Sequence, residues 1–320
     1  MKSIYKSADK VLGKVGLSPV SLIGFALLFL VPISGINEFI VRIMVSAVYY
    51  GVLGMAFDLS LGYMSVANWG FAGLAGLGGY VSALWVIHLG TSPFLGMLIA
   101  GLVTAGLGAL ICLITSKMDS LFTAIVAWFV GLMLMSLITA LPEITRGTSG
   151  LNVPMLFSTP WSKPYFWTIW AIALLVFMFF KKLVNSKPGL AFRAIGQDRE
   201  AALTSGVEPG KFRMLNFTIT CFVVGICGAF NAHFISILTP AELNTNNLMM
   251  VLVVTYLGGR GSIWGPFLAA LIILPVFELM NSLLELKMVL YGLALMLVMI
   301  FYPGGLAQAL ISLKNRISKS

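Results

Sequence analysis

The sequence predicts an all-α fold: a polytopic membrane helix bundle of about ten transmembrane segments, with the N and C termini cytosolic. Three observations carry this. Of 320 residues, 59% are hydrophobic and 10% charged, whereas soluble domains carry roughly 25% charged residues. The apolar residues gather into runs near the roughly 20 residues a spanning helix needs, and irregular backbone cannot face lipid. The basic residues also sort by side of the membrane.

The runs lie at 18–34, 39–61, 71–89, 93–114, 121–141, 164–180, 212–236, 247–257, 264–284 and 288–310. Residues 1–17 form a basic leader, 18–310 the transmembrane domain, and 311–320 a short tail. The run after the leader has no A-x-A cleavage site and reads as a retained first span. Lys and Arg near helix ends favour the cytosol. With the N terminus inside, sixteen of the twenty Lys and Arg fall on cytosolic segments, leaving Arg42, Arg146, Lys163 and Lys287 outside. An even number of crossings follows. The formal charge of +9 is therefore a topology signal, not a nucleic-acid footprint.

Thirty-three glycines within apolar runs suit membrane helices, which associate by packing small residues. Cys112, Cys221 and Cys227 all lie in apolar runs without metal-ligand spacing and read as core residues. The run 247–257 is too short to cross alone and reads as half-spanning. An earlier start near Pro240 pulls Glu242, Asn244, Thr245, Asn246 and Asn247 into or beside the membrane, where they must face protein or a wet cavity. The glycine-rich GGRGSIWGP at 258–266 marks a tight turn at its cytosolic end. The external loop 142–163 is long enough to form a cap.

The long polar stretch at 185–211 is the part placed to meet a soluble partner. Pro188 after Ser186 starts a short helix that Gly196 stops; Asp198 N-caps a second helix, closed by Gly206. Two short helices hinged on glycine make a cytosolic knob. It is either a solvated linker or a docking element whose alanines seat in a groove and whose charges fix register.

Other polar positions carry alternatives. Asp58 and Glu278 are either structural or part of a pathway. His233 reads as an interfacial histidine satisfied by backbone. Asn68 precedes Gly70, Gly73, Gly76, Gly78 and Gly79, which either break a helix and aim free amides into a cavity or form a packing stripe. No HExxH and no Gly-rich loop ending in Gly-Lys-Ser/Thr is present, so nucleotide hydrolysis falls to another chain. An intramembrane Ser/His protease built on Ser262 is disfavoured, because that serine lies across the membrane from His88 and His233.

The order Phe192-Arg193-Ala194-Ile195, Glu200-Ala201-Ala202, Gly206-Val207, Pro240, Gly258-Gly259-Arg260-Gly261-Ser262 and Gly265-Pro266 resembles the second half of a LivM-type branched-chain amino-acid permease. Upstream, Asn68-Trp69-Gly70-Phe71 leading to Gly78-Gly79-Tyr80, and Arg146-Gly147-Thr148-Ser149-Gly150-Leu151, are similar to that family's stretches, as is Tyr302-Pro303-Gly304-Gly305-Leu306 at the end. Departures fall at Phe71, where relatives often carry His or Tyr, and at Arg260, where they often carry Leu.

The resemblance implies a permease subunit of a binding-protein-dependent ABC importer in the plasma membrane, the inner membrane in a double-membraned bacterium. Its cargo would be branched-chain or related amino acids, with urea or short amides as relatives. Implied partners are a homologous second permease subunit, two cytosolic ATPase subunits holding ATP and Mg, an external substrate-binding protein and the lipid bilayer. The chain itself is expected to carry no cofactor, metal or catalytic set. Arg193, Asp198, Glu200, Ala201, Ala202 and Gly206 would couple to the ATPases. Asn68, Gly70, Phe71, Thr148, Asn247 and Thr255 would line the pathway. The alternative is a stand-alone secondary transporter or channel whose carboxylates, Asp58 and Glu278, would bind the driving ion.

Overall fold

The computed structural model describes residues 19–33, 37–159 and 161–279, with scattered positions between 289 and 308. The chain is helical nearly throughout. After α1 (Pro19–Phe29) come the long helices α2 (Glu38–Met64), α3 (Phe71–Leu89), α4 (Pro93–Ile114) and α5 (Ser120–Ala140). Beyond the loop at 141–161 follow α6 (Ser162–Val184), the short pair α7 (Lys187–Gln197) and α8 (Arg199–Thr204), and α9 (Pro209–Ile235). A half-length helix α10 (Thr245–Gly258) and α11 (Trp264–Leu279) complete the described order. Six of these, α2 to α6 and α9, are long and apolar enough to cross a membrane. The expected run 288–310 lies mostly outside the described residues.

Local chemistry sets the ends. Asn37 accepts the Phe39 N–H to cap α2, Ser92 precedes Pro93 in the first turn of α4, and Gly90 closes α3 in the left-handed region (φ +61°). Proline at a helix start is preorganised and gives up an N–H that has no partner there.

Helix α9 is the centre of the bundle, packing on α4, α3 and α2, while α11 and α6 pack on α2 and α5 packs on α3. Close approach needs small residues on both sides. A Cβ on Gly78 would stand 2.6 Å from the Gly225 carbonyl oxygen, so α3 and α9 touch backbone to backbone.

The two ends of the bundle differ. At one, Arg193, Arg199, Arg213 and Arg260 all engage backbone or aromatic groups of neighbouring helix ends. At the other, the loop at 141–161 packs against the segment after α9. Its strand β1 (Leu151–Asn152) pairs antiparallel with β2 (Ile237–Leu238), with Leu151 opposite Leu238. These two residues per strand are the departure from an all-helical reading. Ser236, turned to φ +65°, ends α9 and releases the chain into the ladder.

His233 locks this cap. Its Nδ1 lies 2.7 Å from the Pro154 carbonyl and its Nε2 2.8 Å from the Ser82 hydroxyl. A carbonyl only accepts, so Nδ1 carries the proton and Ser82 donates to Nε2. The pair is fully buried, with Gly96 packed on the serine hydroxyl, and works as a latch. The expected satisfaction of His233 by backbone is met.

Candidate functional site

The basic end carries the first candidate element. Ser186 stands at the N-cap of α7, with proline in the first turn. The helix does not stop at Gly196, as expected, but runs to Gln197, where Asp198 breaks it. Gly196 has a different reason: a Cβ there would sit 2.5 Å from the Tyr63 carbonyl oxygen, so glycine lets α7 lie against the end of α2. Ser65 donates its hydroxyl to the Gly196 carbonyl at 3.0 Å.

Asp198 caps α8 as expected, accepting from the Glu200 and Ala201 N–H groups at 2.9 and 3.0 Å. The end of α8 is a complete Schellman closure. Val207 N–H reaches Ala202 O, Gly206 N–H reaches Leu203 O, and Gly206 takes φ +83°, a region that side chains strain to enter. Ala202 is the buried residue of α8; Arg199, Glu200, Ala201 and Leu203 are exposed, Leu203 at 52%. Leu190 on α7 is 62% exposed. The knob thus offers apolar and charged side chains together on its outer surface.

The knob is clamped to the bundle from three sides. The Arg193 guanidinium lies 5.4 Å from the centre of the Tyr63 ring, Arg199 donates to Ser116 O at 3.3 Å, and Phe192 meets Phe212 edge-on at 6.4 Å. Arg213, at the start of α9, donates to Met118 O at 3.1 Å and bonds the Thr115 and Thr123 hydroxyls. At the same end Asp58 Oδ1 accepts the Gly261 N–H at 2.8 Å and Arg260 reaches Leu61 O at 3.5 Å. The turn between α10 and α11 is therefore held to α2 by a buried carboxylate, a structural role for Asp58. Glu278 lies exposed near the end of α11.

The second element lies inside the bundle. Helix α2 ends at Met64 with Ser65 left-handed, and the chain turns back as non-helical backbone through Val66, Ala67 and Asn68, all buried. Asn68 accepts the Gly70 N–H at 3.1 Å and donates to Cys221 Sγ at 3.4 Å. Cys221 stands twelve residues into α9, about 18 Å at 1.5 Å per residue, so α3 begins deep in the bundle. The backbone breaks before Gly70, but the Gly70 N–H is taken by Asn68 and is not a free amide aimed into a cavity; the later glycines follow the packing reading, Gly73 against Gly131 and Gly78 against Gly225.

Helix α10 also begins deep. From the β-ladder the chain dips through a 3-10 turn (Pro240–Leu243), and Trp128, mid-way along α5, donates to Thr245 Oγ1 at 3.2 Å. The two internal helix starts meet α5 around a void of ≈ 10 Å³ lined by Trp69, Gly73, Trp128, Gly131, Leu243 and Thr245. This is room for about one water. A groove of ≈ 640 Å³ between α4, α6 and α9 is lined by Phe94, Phe157, Trp167 and other largely apolar side chains, with Thr168 among them.

Beside the internal start of α10 lies a polar cluster. Tyr50 donates to Asn247 Oδ1 at 3.1 Å, and Asn247 Nδ2 donates to the Glu242 carbonyl at 2.8 Å and to its carboxylate at 3.4 Å. Burial pushes the Glu242 carboxyl above the ordinary carboxylate range, opposed by the Asn247 hydrogen bond. Of the expected pathway residues, Asn247 belongs to this cluster, and Asn68 and Gly70 form the start of α3. Phe71 is fully buried edge-on against Phe57, and Thr255, on α10, is fully buried and bonded to Val251 O. Thr148 is exposed in the cap. The place of Glu242 in the cluster was missed; its one signal is the polar run beside a segment too short to span.

A family model described as the permease component of the branched-chain amino acid transport system matches residues 39–299. The chain is 26% identical over 301 residues to the high-affinity branched-chain amino acid transport system permease protein LivM of Escherichia coli K12, covering 84% of this chain and 71% of that protein. It is 26% identical over 285 residues to the protein of the same name in Salmonella typhimurium LT2, covering 80% and 67%. To the probable branched-chain amino acid transport permease protein LivM of Methanocaldococcus jannaschii it is 20% identical over 309 residues, covering 80% and 90%. No solved structure matches it.

Proposed function

This chain belongs to the branched-chain amino acid transport permease family, a multi-pass protein of the plasma or inner membrane, and from that premise we propose that it is one permease half of an ATP-driven importer. The cargo is a branched-chain or related amino acid. A homologous second half lies against it, two cytosolic ATPase subunits bind and hydrolyse ATP with Mg, and an external binding protein delivers substrate. In this reading the bundle has about ten crossings, both termini are cytosolic, and the basic end is the cytosolic end.

The knob carries the proposal. Two helices that expose Glu200, Ala201, Leu203 and Leu190, while anchored through Gly196, Arg193 and Ala202, suit a groove on a soluble partner. Asp198 and Gly206 keep α8 formed when it is pushed. ATP-driven closure of the ATPases moves the knob as one body, and the Ser65 and Tyr63 contacts pass that motion to α2. Asp58 then passes it to the turn that ends α10. The half-helix shifts at the internal void, and the solute moves between the two permease halves past Asn68, Gly70 and Asn247. Phe71 and Thr255 support the pathway from behind, and Thr148 lies at its external entrance.

The test is purification of the chain from its native membrane in mild detergent. Copurification of ATPase subunits and a second permease chain supports the proposal. Gradient-driven uptake of leucine by the purified chain alone overturns it in favour of a secondary carrier.

A further inference from the structure

We infer that the groove between α4, α6 and α9 holds one acyl chain of a membrane phospholipid, bound tightly enough to stay through purification, with its phosphate at the Lys163 end. The inference goes beyond the importer reading and stands on membrane residence alone.

The groove has the size of a ligand site. At ≈ 640 Å³ it falls within the roughly 300–1,000 Å³ of small-molecule pockets, whereas the internal void holds about one water. It begins where the loop at 141–161 meets two helix starts. Phe94 stands in the first turn of α4, Pro164 in the first turn of α6, and Phe157 of the loop meets Phe94 edge-on at 6.2 Å. From there the groove runs down α6 to Leu175, about 16 Å below Pro164 at 1.5 Å per residue. One leaflet is half of the about 30 Å hydrocarbon core. The groove therefore has the depth of a single acyl chain.

Its walls suit hydrocarbon better than a protein helix. Membrane helices associate through small residues, and α4 spends its glycines on α9: a Cβ on Gly101 would meet Ile226 and Phe222, and one on Gly108 would meet Cys221. The groove face instead carries Phe94, Met97, Leu98, Trp167, Ile172 and Leu175. Bulky and flexible side chains make many dispersion contacts with a chain that can bend to fit them. Thr168 donates its hydroxyl to Pro164 O at 2.9 Å, so its donor is already used.

The surroundings also match a lipid. Phe94, Leu98 and Leu175 are exposed as well as lining the groove, which makes it continuous with the surface that the spanning helices turn to the bilayer. At the mouth Trp161 and Trp167 are exposed, and tryptophan gathers at the level of the head groups. Lys163 precedes Pro164 and makes no ion pair among the described residues. A lysine stem can follow apolar surface while its ammonium meets a phosphate.

The experiment purifies the protein with its native partners in mild detergent, washes away loose lipid and counts retained phospholipid by native mass spectrometry. Four forms are compared: wild type, A171W, K163E and L110W. Ala171 is exposed in the groove wall, and Leu110 is exposed on the other half of α4, outside the groove. Wild type is expected to keep one phospholipid per chain, A171W about tenfold less and K163E an intermediate amount, with L110W like wild type. Wild type without retained phospholipid overturns the proposal and leaves the groove to a protein neighbour. Full retention in A171W overturns it too, as does equal loss in L110W, which makes the lipid a general coat. Retention in K163E equal to wild type overturns the phosphate contact and with it the phospholipid assignment. Should A171W fail to purify, phosphatidylcholine brominated on its acyl chain is loaded into wild type and W167F before the wash. Quenching of tryptophan fluorescence is expected in wild type and lost in W167F; equal quenching in both overturns the proposal.

Discussion

Ser65, at the end of the first long span, donates its hydroxyl to the carbonyl of Gly196 in the knob at 3.0 Å. One hydrogen bond therefore joins the knob to the backbone break that leads into α3. Beside it, any side chain at position 196 would run into Tyr63 backbone. G196V is expected to push α7 off α2 and to lower ATP-driven uptake by about tenfold, since overpacking costs about 1–3 kcal/mol. Uptake and ATP hydrolysis measured together check this. ATP use should persist while transport falls.

Asp198 holds two N–H groups of α8 with one side-chain oxygen. D198A is expected to loosen α8 by about 1 kcal/mol and to weaken ATPase docking, read as a higher concentration of ATPase needed for half-maximal assembly. D198N, which keeps an acceptor, should stay near wild type.

Asp58 pins the α10–α11 turn through Gly261 N–H. D58A removes the buried side chain that accepts the Gly261 N–H and is expected to destabilise the purified chain by about 1 kcal/mol, visible as a lower melting temperature in detergent. D58N retains an oxygen at that position and should recover most of the loss.

Much of this was legible in the residue order where punctuation was local. The bounds of α3 and α4 match the ends of the apolar runs 71–89 and 93–114, and Asp198 and Gly206 mark the ends of α8 because capping chemistry is read from neighbours in sequence. Contacts between distant segments were not legible. Gly196 looked like a helix stop, yet its reason is Tyr63, more than a hundred residues earlier. The run 247–257 announced a half-helix by its length. That Asn247 would meet Tyr50 and share its hydrogen bonds with Glu242 depends on how α2 and α10 pack, which no spacing encodes. Thr255 and Phe71 are polar and aromatic positions whose facing is set by rotation of their helices about their axes, and both turn into the packed interior.

The most direct test of the coupling claim is ATP-dependent leucine uptake by the complete transporter carrying E200R, beside wild type. Glu200 is exposed on α8 and makes no ion pair among the described residues, so reversing its charge should leave the chain folded. The expected result is loss of ATPase docking and of uptake together, with the melting temperature of the isolated chain unchanged. Docking and uptake that both persist unchanged in E200R would contradict the account.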